Sequence, residues 1–123
     1  MADTAFVPTI FTKHGCPFCL KLRLFLLEAG LLDTVSLVEG DTTEAHQKLA
    51  EQLSDHLEKL SFPAAEVTPG RYLAGSDDLV EHFARIAGCT ASELPTYQAY
   101  ASGVFPSFQK IYRELMEMKK PAA

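Results

Sequence analysis

Cys16 and Cys19, separated by Pro17 and Phe18, can cycle between a dithiol and a disulfide, which is a two-electron redox couple. The thiolate is the nucleophile of disulfide exchange, so the chemistry depends on what stabilises it. A helix N-terminus does so, with unpaired backbone N–H groups and a partial positive charge. If a helix opens at this motif, Cys16 is nearer its terminus and less buried, and it attacks. Cys19 lies one turn further in and resolves the mixed disulfide. The other use of such a pair is metal binding. Tetrahedral zinc wants a second Cys or His pair at matching spacing. His46, His56 and His82 fall on separate helical segments and Cys89 is single, so redox is favoured and no metal is expected. An iron–sulfur cluster shared between two subunits stays open as an alternative.

The flanking elements supply the expected context. Phe6 to Thr12 reads as a strand, mostly apolar and therefore covered on both faces. A helix follows from Pro17 to Ala29, with proline in the first turn, where a missing N–H costs nothing. Leu20, Leu24 and Leu27 form one apolar line on it. Leu22, Phe25 and Leu26 widen that line, so more than one side should be covered. Val35 to Glu39 is a second strand, parallel to the first through a right-handed crossover.

Asp41 and Glu44 suggest a capping box for a helix running to about Leu60, with Leu49, Leu53, Leu57 and Leu60 on one face. Ala64–Val67 and Arg71–Ala74 flank Thr68-Pro69-Gly70 and form an antiparallel hairpin. A helix over Asp77–Ala87 closes at Gly88. The expected fold class is α/β, ordered βαβ, α, ββα, over residues 1–88. Residues 89–123 form a C-terminal helical extension packed on that unit. There Gly103 and Pro106 interrupt, and Phe105, Phe108, Ile111, Tyr112 and Leu115 make an apolar stripe at helical spacing. Periodicity fixes the stripe but not its partner, which is either the domain itself or a second copy in a homodimer.

The 123 residues are 47% hydrophobic, enough for one domain with its own core. The net charge of −5 and the lack of a basic stripe argue against nucleic acid. The stretch Leu20–Leu32 is too short and too charged to span a membrane. Met1-Ala2-Asp3-Thr4 shows no basic n-region, and three cysteines do not make a disulfide scaffold, so a reducing cytoplasm is the expected setting.

Phe11-Thr12-Lys13-His14-Gly15-Cys16-Pro17-Phe18-Cys19 resembles a glutaredoxin active site. Phe62-Pro63 resembles that family's cis-proline loop, and Ala74-Gly75-Ser76-Asp77-Asp78-Leu79 resembles its Gly-Gly-x-Asp-Asp segment. The three stand in family order across about Phe6 to Gly88. The resemblance implies a thioredoxin-like fold, glutathione as co-substrate, and disulfide-bonded or glutathionylated proteins as partners. Lys13 would pair with the glycyl carboxylate of glutathione, and is otherwise a solvated lysine. A cis bond before Pro63 would let the backbone of Phe62 hold the cysteinyl part. Otherwise Pro63 is an ordinary trans proline at a strand start. Asp77 would take the γ-glutamyl ammonium and Ser76 its carboxylate, and both also suit a plain N-cap. Phe18 would shield the approach to Cys16. His14 would stabilise the thiolate if charged, or sit solvated in its loop. Cys89 reads as a small packing residue.

Phe18 stands where tyrosine is common, Ala74 replaces a glycine, and Phe62 replaces a smaller valine. The segment after Gly88 is similar to the start of the C-terminal domain of a glutathione S-transferase. The implied activity is glutathione-dependent thiol–disulfide exchange. The alternatives are a glutathione S-transferase-like protein and a glutathione-binding module without turnover.

Overall fold

The computed structural model describes residues 6–120. Strand β1, Thr9–Lys13, starts later than expected. Pro8 has no N–H to give to a ladder, and Phe6 and Val7 remain exposed ahead of it. Helix α1, Pro17–Glu28, leads to β2, Ser36–Gly40. Helix α2 is Thr43–Ser54, and β3, Ala64–Thr68, and β4, Arg71–Ala74, form the hairpin. Helix α3 spans Ser76–Ala87 and ends at Gly88 in the left-handed conformation.

The sheet order is β2-β1-β3-β4. β1 is parallel to β2, from Thr9 opposite Ser36 to Lys13 opposite Gly40, and antiparallel to β3. This is the thioredoxin-like arrangement that the family resemblance implied. Successive strand residues point to opposite faces, so Ile10 and Phe11 serve different cores. Ile10 packs with Leu22, Phe25 and Leu26 of α1 and Leu79, Val80 and Phe83 of α3. Phe11 packs with Leu53 of α2 and Ala64 of β3. Burial on both faces is why β1 carries adjacent apolar residues, Ile10 and Phe11, in place of strict alternation. Full burial of Phe25 alone contributes roughly 2–3 kcal/mol.

Three expectations about helices need correction. Thr42, not Asp41, caps α2, accepting the Ala45 N–H at 3.0 Å. α2 also stops at Ser54, where the Ser54 hydroxyl bonds back to the Glu51 carbonyl at 2.9 Å. Leu57 and Leu60 still pack on the smaller core, but from irregular chain. On α1 the buried face is Cys19, Leu22, Phe25 and Leu26, while Leu20 and Leu27 of the apolar line are exposed.

Beyond Gly88, α4, Pro95–Ala99, runs through a π-helical turn, Tyr100–Val104, into α5, Phe105–Lys119. Gly103 and Pro106 therefore widen one helix and do not break it. Pro106 cannot donate to the carbonyl four residues back, and its ring would collide with it. The wider turn relieves that conflict, and the Phe105 N–H bonds to the Tyr100 carbonyl five residues back. The Glu28 carboxylate caps α4, accepting the Thr96 and Tyr97 N–H groups at 3.0 and 2.7 Å. Those bonds hold it below the usual carboxylate range, against a desolvation that acts the other way. Tyr97 packs edge-on against Phe25, with ring centroids 5.4 Å apart. Of the expected stripe only Phe105 is buried; Phe108, Ile111, Tyr112 and Leu115 are exposed. The extension is thus anchored by α4 and the π-turn, and α5 turns its apolar line to solvent.

Candidate active site

Cys16 is the N-cap residue of α1, extended at φ −87° and ψ 120°, with Pro17 opening the helix behind it. Its sulfur accepts the Cys19 N–H at 3.4 Å. Cys16 is half-buried, whereas Cys19 is only 3% exposed. The Cys19 sulfur in turn accepts the Lys13 N–H at 3.4 Å, which ties the end of β1 to α1.

The two thiols are driven apart in acidity. A hydrogen bond from the Cys19 side chain pulls Cys16 from 9.0 down to about 6. Burial opposes this, and the N–H groups of Cys19 and Phe18 and the charge of Lys13 assist it. Cys19 is pushed well above its ordinary range, first because its proton is held by Cys16, then by burial. At neutral pH the pair is one thiolate and one thiol, as a nucleophile with a reserve partner requires.

Two cavities involve the dithiol turn, one reached by Phe18 and the other by Cys16. One, of about 440 Å³, is lined by Phe18, Ser61, Phe62, Gly75, Ser76, Asp77 and Asp78. Four of the residues singled out from sequence (Phe18, Phe62, Ser76 and Asp77) meet here. The Phe62–Pro63 bond is cis, and the buried Pro63 carbonyl accepts the Gly75 N–H at 2.9 Å. Gly75 caps α3 at φ 100°, a conformation that disfavours side chains, and makes no side-chain cap bond. Ser76 and Asp77 are therefore not the N-cap; Ser76 is buried in the first turn and Asp77 is exposed.

The other cavity, of about 520 Å³, holds Cys16 itself, with Lys13, Leu20, Arg23, Glu39 and, from the extension, Tyr100, Val104 and Phe108. Lys13 thus lines the cavity that holds Cys16, and Ser76 and Asp77 line the other. His14 does not serve the thiolate: its Nδ1 meets Glu39 Oε2 at 3.0 Å, and Arg23 lies 3.7 Å from the other Glu39 oxygen. The size of Phe62 is accommodated by His46, with ring centroids 4.7 Å apart. The Ala74 methyl packs on the smaller core, so it leaves the approach to the cavity free. Cys89 is half-buried against the larger core, a packing residue as expected.

Four residues have a role at the site that the sequence reading did not assign to them. Lys21, only 8% exposed, pairs with Asp77 and lies 5.0 Å from the Phe105 ring centroid. The Tyr100 hydroxyl donates to the Pro17 carbonyl at 2.8 Å. Phe105 meets Phe18 edge-on, centroids 5.0 Å apart. Glu39 joins His14 to Arg23 at the cavity rim. All four depend on chain brought from far away in sequence.

A four-stranded sheet of order β2-β1-β3-β4, with a dithiol at the start of the helix that joins its parallel pair, defines a thioredoxin-fold protein with a thiol site. Residues 15–86 match the family model described as glutathione S-transferase, N-terminal domain, and the chain belongs to that family. Glutaredoxin-C8 of Oryza sativa subsp. japonica is 34% identical over 74 residues, which are 60% of this chain and 54% of that protein. The chain thus spans about half the length of this curated relative. Oxidized glutaredoxin 2 from Chlamydomonas reinhardtii is similar in fold, with a TM-score of 0.51 and 22% identity over 66% of this chain and 81% of that one. Glutathione transferase Omega 2C from Trametes versicolor gives 0.45 and 21%, over 75% and 40%.

Proposed function

We propose that the chain is a glutathione-dependent thiol–disulfide oxidoreductase acting on disulfides or glutathionylated proteins. The observation that carries this reading is the half-exposed Cys16 sulfur, held as a thiolate at the start of α1 with a buried thiol behind it. Cys16 attacks the glutathione sulfur of a mixed disulfide. A Cys16–glutathione disulfide forms, and the substrate leaves as a thiolate that takes up a proton. A second glutathione thiolate then attacks the bound glutathione sulfur, releasing glutathione disulfide and restoring Cys16. One free glutathione is consumed per mixed disulfide: its sulfur enters the disulfide as the substrate sulfur leaves as a thiol. The alternative exit is attack by Cys19 on Cys16, which the burial of Cys19 slows.

Glutathione would lie across Cys16. Its γ-glutamyl end would meet Ser76, Asp77 and the free N–H groups of the first turn of α3, and its cysteinyl part the Phe62 backbone beside Pro63. Its glycyl carboxylate would reach Lys13. The same reading takes 1–88 as the redox unit and 89–123 as its extension, places the protein in the cytoplasm, and pairs two copies through α5. A transferase-like use is favoured by one feature: the larger cavity puts Leu20, Tyr100, Val104 and Phe108 beside Cys16, with room for an apolar electrophile.

Turnover of a glutathione mixed disulfide decides between these uses. Wild type should reduce it, Cys16→Ser should lose all activity, and Cys19→Ser should keep at least about half. A wild type that turns over an aryl electrophile but no mixed disulfide would replace the oxidoreductase reading with the transferase one.

A further inference from the structure

The extension touches both residues between the cysteines. Tyr100 donates its hydroxyl to the Pro17 carbonyl at 2.8 Å, and the Phe105 ring meets the Phe18 ring edge-on at 5.0 Å. Tyr100 and Phe105 are five positions apart. On a regular α-helix such residues point about 140° away from each other, and one helix could not bring both to the same short turn. The π-helical turn solves this. It stacks residues five apart, its Phe105 N–H bonds to the Tyr100 carbonyl, and the two rings lie 5.7 Å apart. Phe105 is held in place by burial and by Lys21, whose ammonium lies 5.0 Å from its ring centroid.

We propose that Tyr100 and Phe105 are positioning residues that clamp the Cys16-Pro17-Phe18-Cys19 turn and set the reactivity of Cys16. The proposal rests on the thiol-exchange reading of the site. The Cys16 sulfur is stabilised by N–H groups of Cys19 and Phe18, which belong to the clamped turn. Fixing the Pro17 carbonyl and the Phe18 ring limits rotation of the peptide units that carry those donors. The groups facing Cys16 from other elements are Lys13 and Tyr100, with Arg23 and the Glu39–His14 pair at the rim of its cavity. Lys13 ties the turn to β1 through its backbone, accepting the Cys16 N–H at 3.2 Å and donating to the Cys19 sulfur at 3.4 Å, while Tyr100 grips it from the extension. Released, the turn aims its donors less well, the thiolate becomes less favoured, and the dithiol becomes more reducing.

The test compares full-length Tyr100→Phe and Phe105→Leu with wild type, using Tyr112→Phe on the exposed face of α5 as control. The readouts are the pH profile of Cys16 alkylation, the reduction potential against a glutathione buffer, and the denaturant midpoint. Loss of one such hydrogen bond corresponds to about a fivefold effect. Tyr100→Phe should therefore shift the alkylation profile to higher pH and cut the rate near pH 5, on the acid limb of the profile, about fivefold, with folding intact. The potential should fall by about 20 mV, the same factor for a two-electron couple. Phe105→Leu should act in the same direction, and Tyr112→Phe should do nothing. Unchanged profiles and potentials in folded Tyr100→Phe and Phe105→Leu would overturn the clamp. None of these readouts needs glutathione turnover, so a failure of the oxidoreductase reading shows separately, in the wild-type assay.

Discussion

Lys21 reaches from the second turn of α1 to the Asp77 carboxylate at the start of α3, so the residue expected to receive a ligand ammonium already holds a cation. The pair is lopsided: the Lys21 side chain is 10% exposed and that of Asp77 88%. Removing the acid therefore leaves a nearly buried ammonium without its counter-charge, beside only the Phe105 ring.

Two effects of Asp77 can be separated on that basis. Asp77→Ala should lose glutathione affinity and about 1–2 kcal/mol of stability, a figure reduced for the exposure of the carboxylate. Adding Lys21→Met should restore most of the stability, because the orphaned charge is gone. It should not restore affinity, because the ligand's own partner is still missing. Calorimetric titration with glutathione and denaturant unfolding of the three variants measure this. Recovery of affinity in the double variant would mean that Asp77 serves only Lys21.

The divided acidity of the thiols predicts a pH dependence with a definite sign. Cys16 titrates near 6 in the folded protein and 9.0 in an unfolded chain. Between those values the unfolded state binds one more proton, so the stability of the reduced protein rises with pH. Above 9.0 the unfolded chain also loses the Cys19 proton while the folded protein keeps it, and stability falls again. The reduced protein should thus show a stability maximum near pH 9. The rise should be about 1–2 kcal/mol once solvent screening of a half-exposed thiolate is allowed for. The disulfide form, in which neither Cys16 nor Cys19 titrates, should lack this contribution. Cys16→Ser should lack the rise, and Cys19→Ala should shrink it by removing the principal donor. Denaturant midpoints of reduced and oxidised protein across pH 6–10 measure it, and matching curves in the two forms would contradict the assignment.

What was legible in the sequence depended on range. β1, α1 and the dithiol are local: turn residues, a proline at a helix start and an apolar run determine them. Phe62, Ser76, Asp77 and Phe18 could be assigned to one cradle only through the order of three motifs, and they do line one cavity. Lys21 could not be found, because a lysine within an apolar helix looks like its solvated edge. The ring beside its ammonium, Phe105, comes more than eighty residues later. Tyr100 was hidden for a related reason. Gly103 and Pro106 read as a helix break, and only the wider turn shows that Tyr100 and Phe105 share a face. The end of α2 was misplaced because Leu57 and Leu60 keep helical spacing while packing from irregular chain.

The exposed line of α5 gives the last prediction. Val104, Phe108, Ile111, Leu115 and Met118 follow one another at spacings of four, three, four and three, and are between 43% and 82% exposed. That alternation is the seam of a two-helix coiled coil. With Tyr112 the line exposes on the order of 600 Å² of apolar surface, as large as the largest patch on a typical monomer. Pairing two copies along it would bury roughly 1,200 Å², the lower end for specific association. A pair of only two heptads is weak, so association should be concentration-dependent. Sedimentation of the full chain should show a shift from 13.5 kDa toward twice that mass as concentration rises. Leu115→Arg puts a charge in the middle of the seam and should hold the protein at the monomer mass while leaving Cys16 alkylation unchanged. A wild type that stays monomeric at every concentration would rule out α5 as a self-association surface.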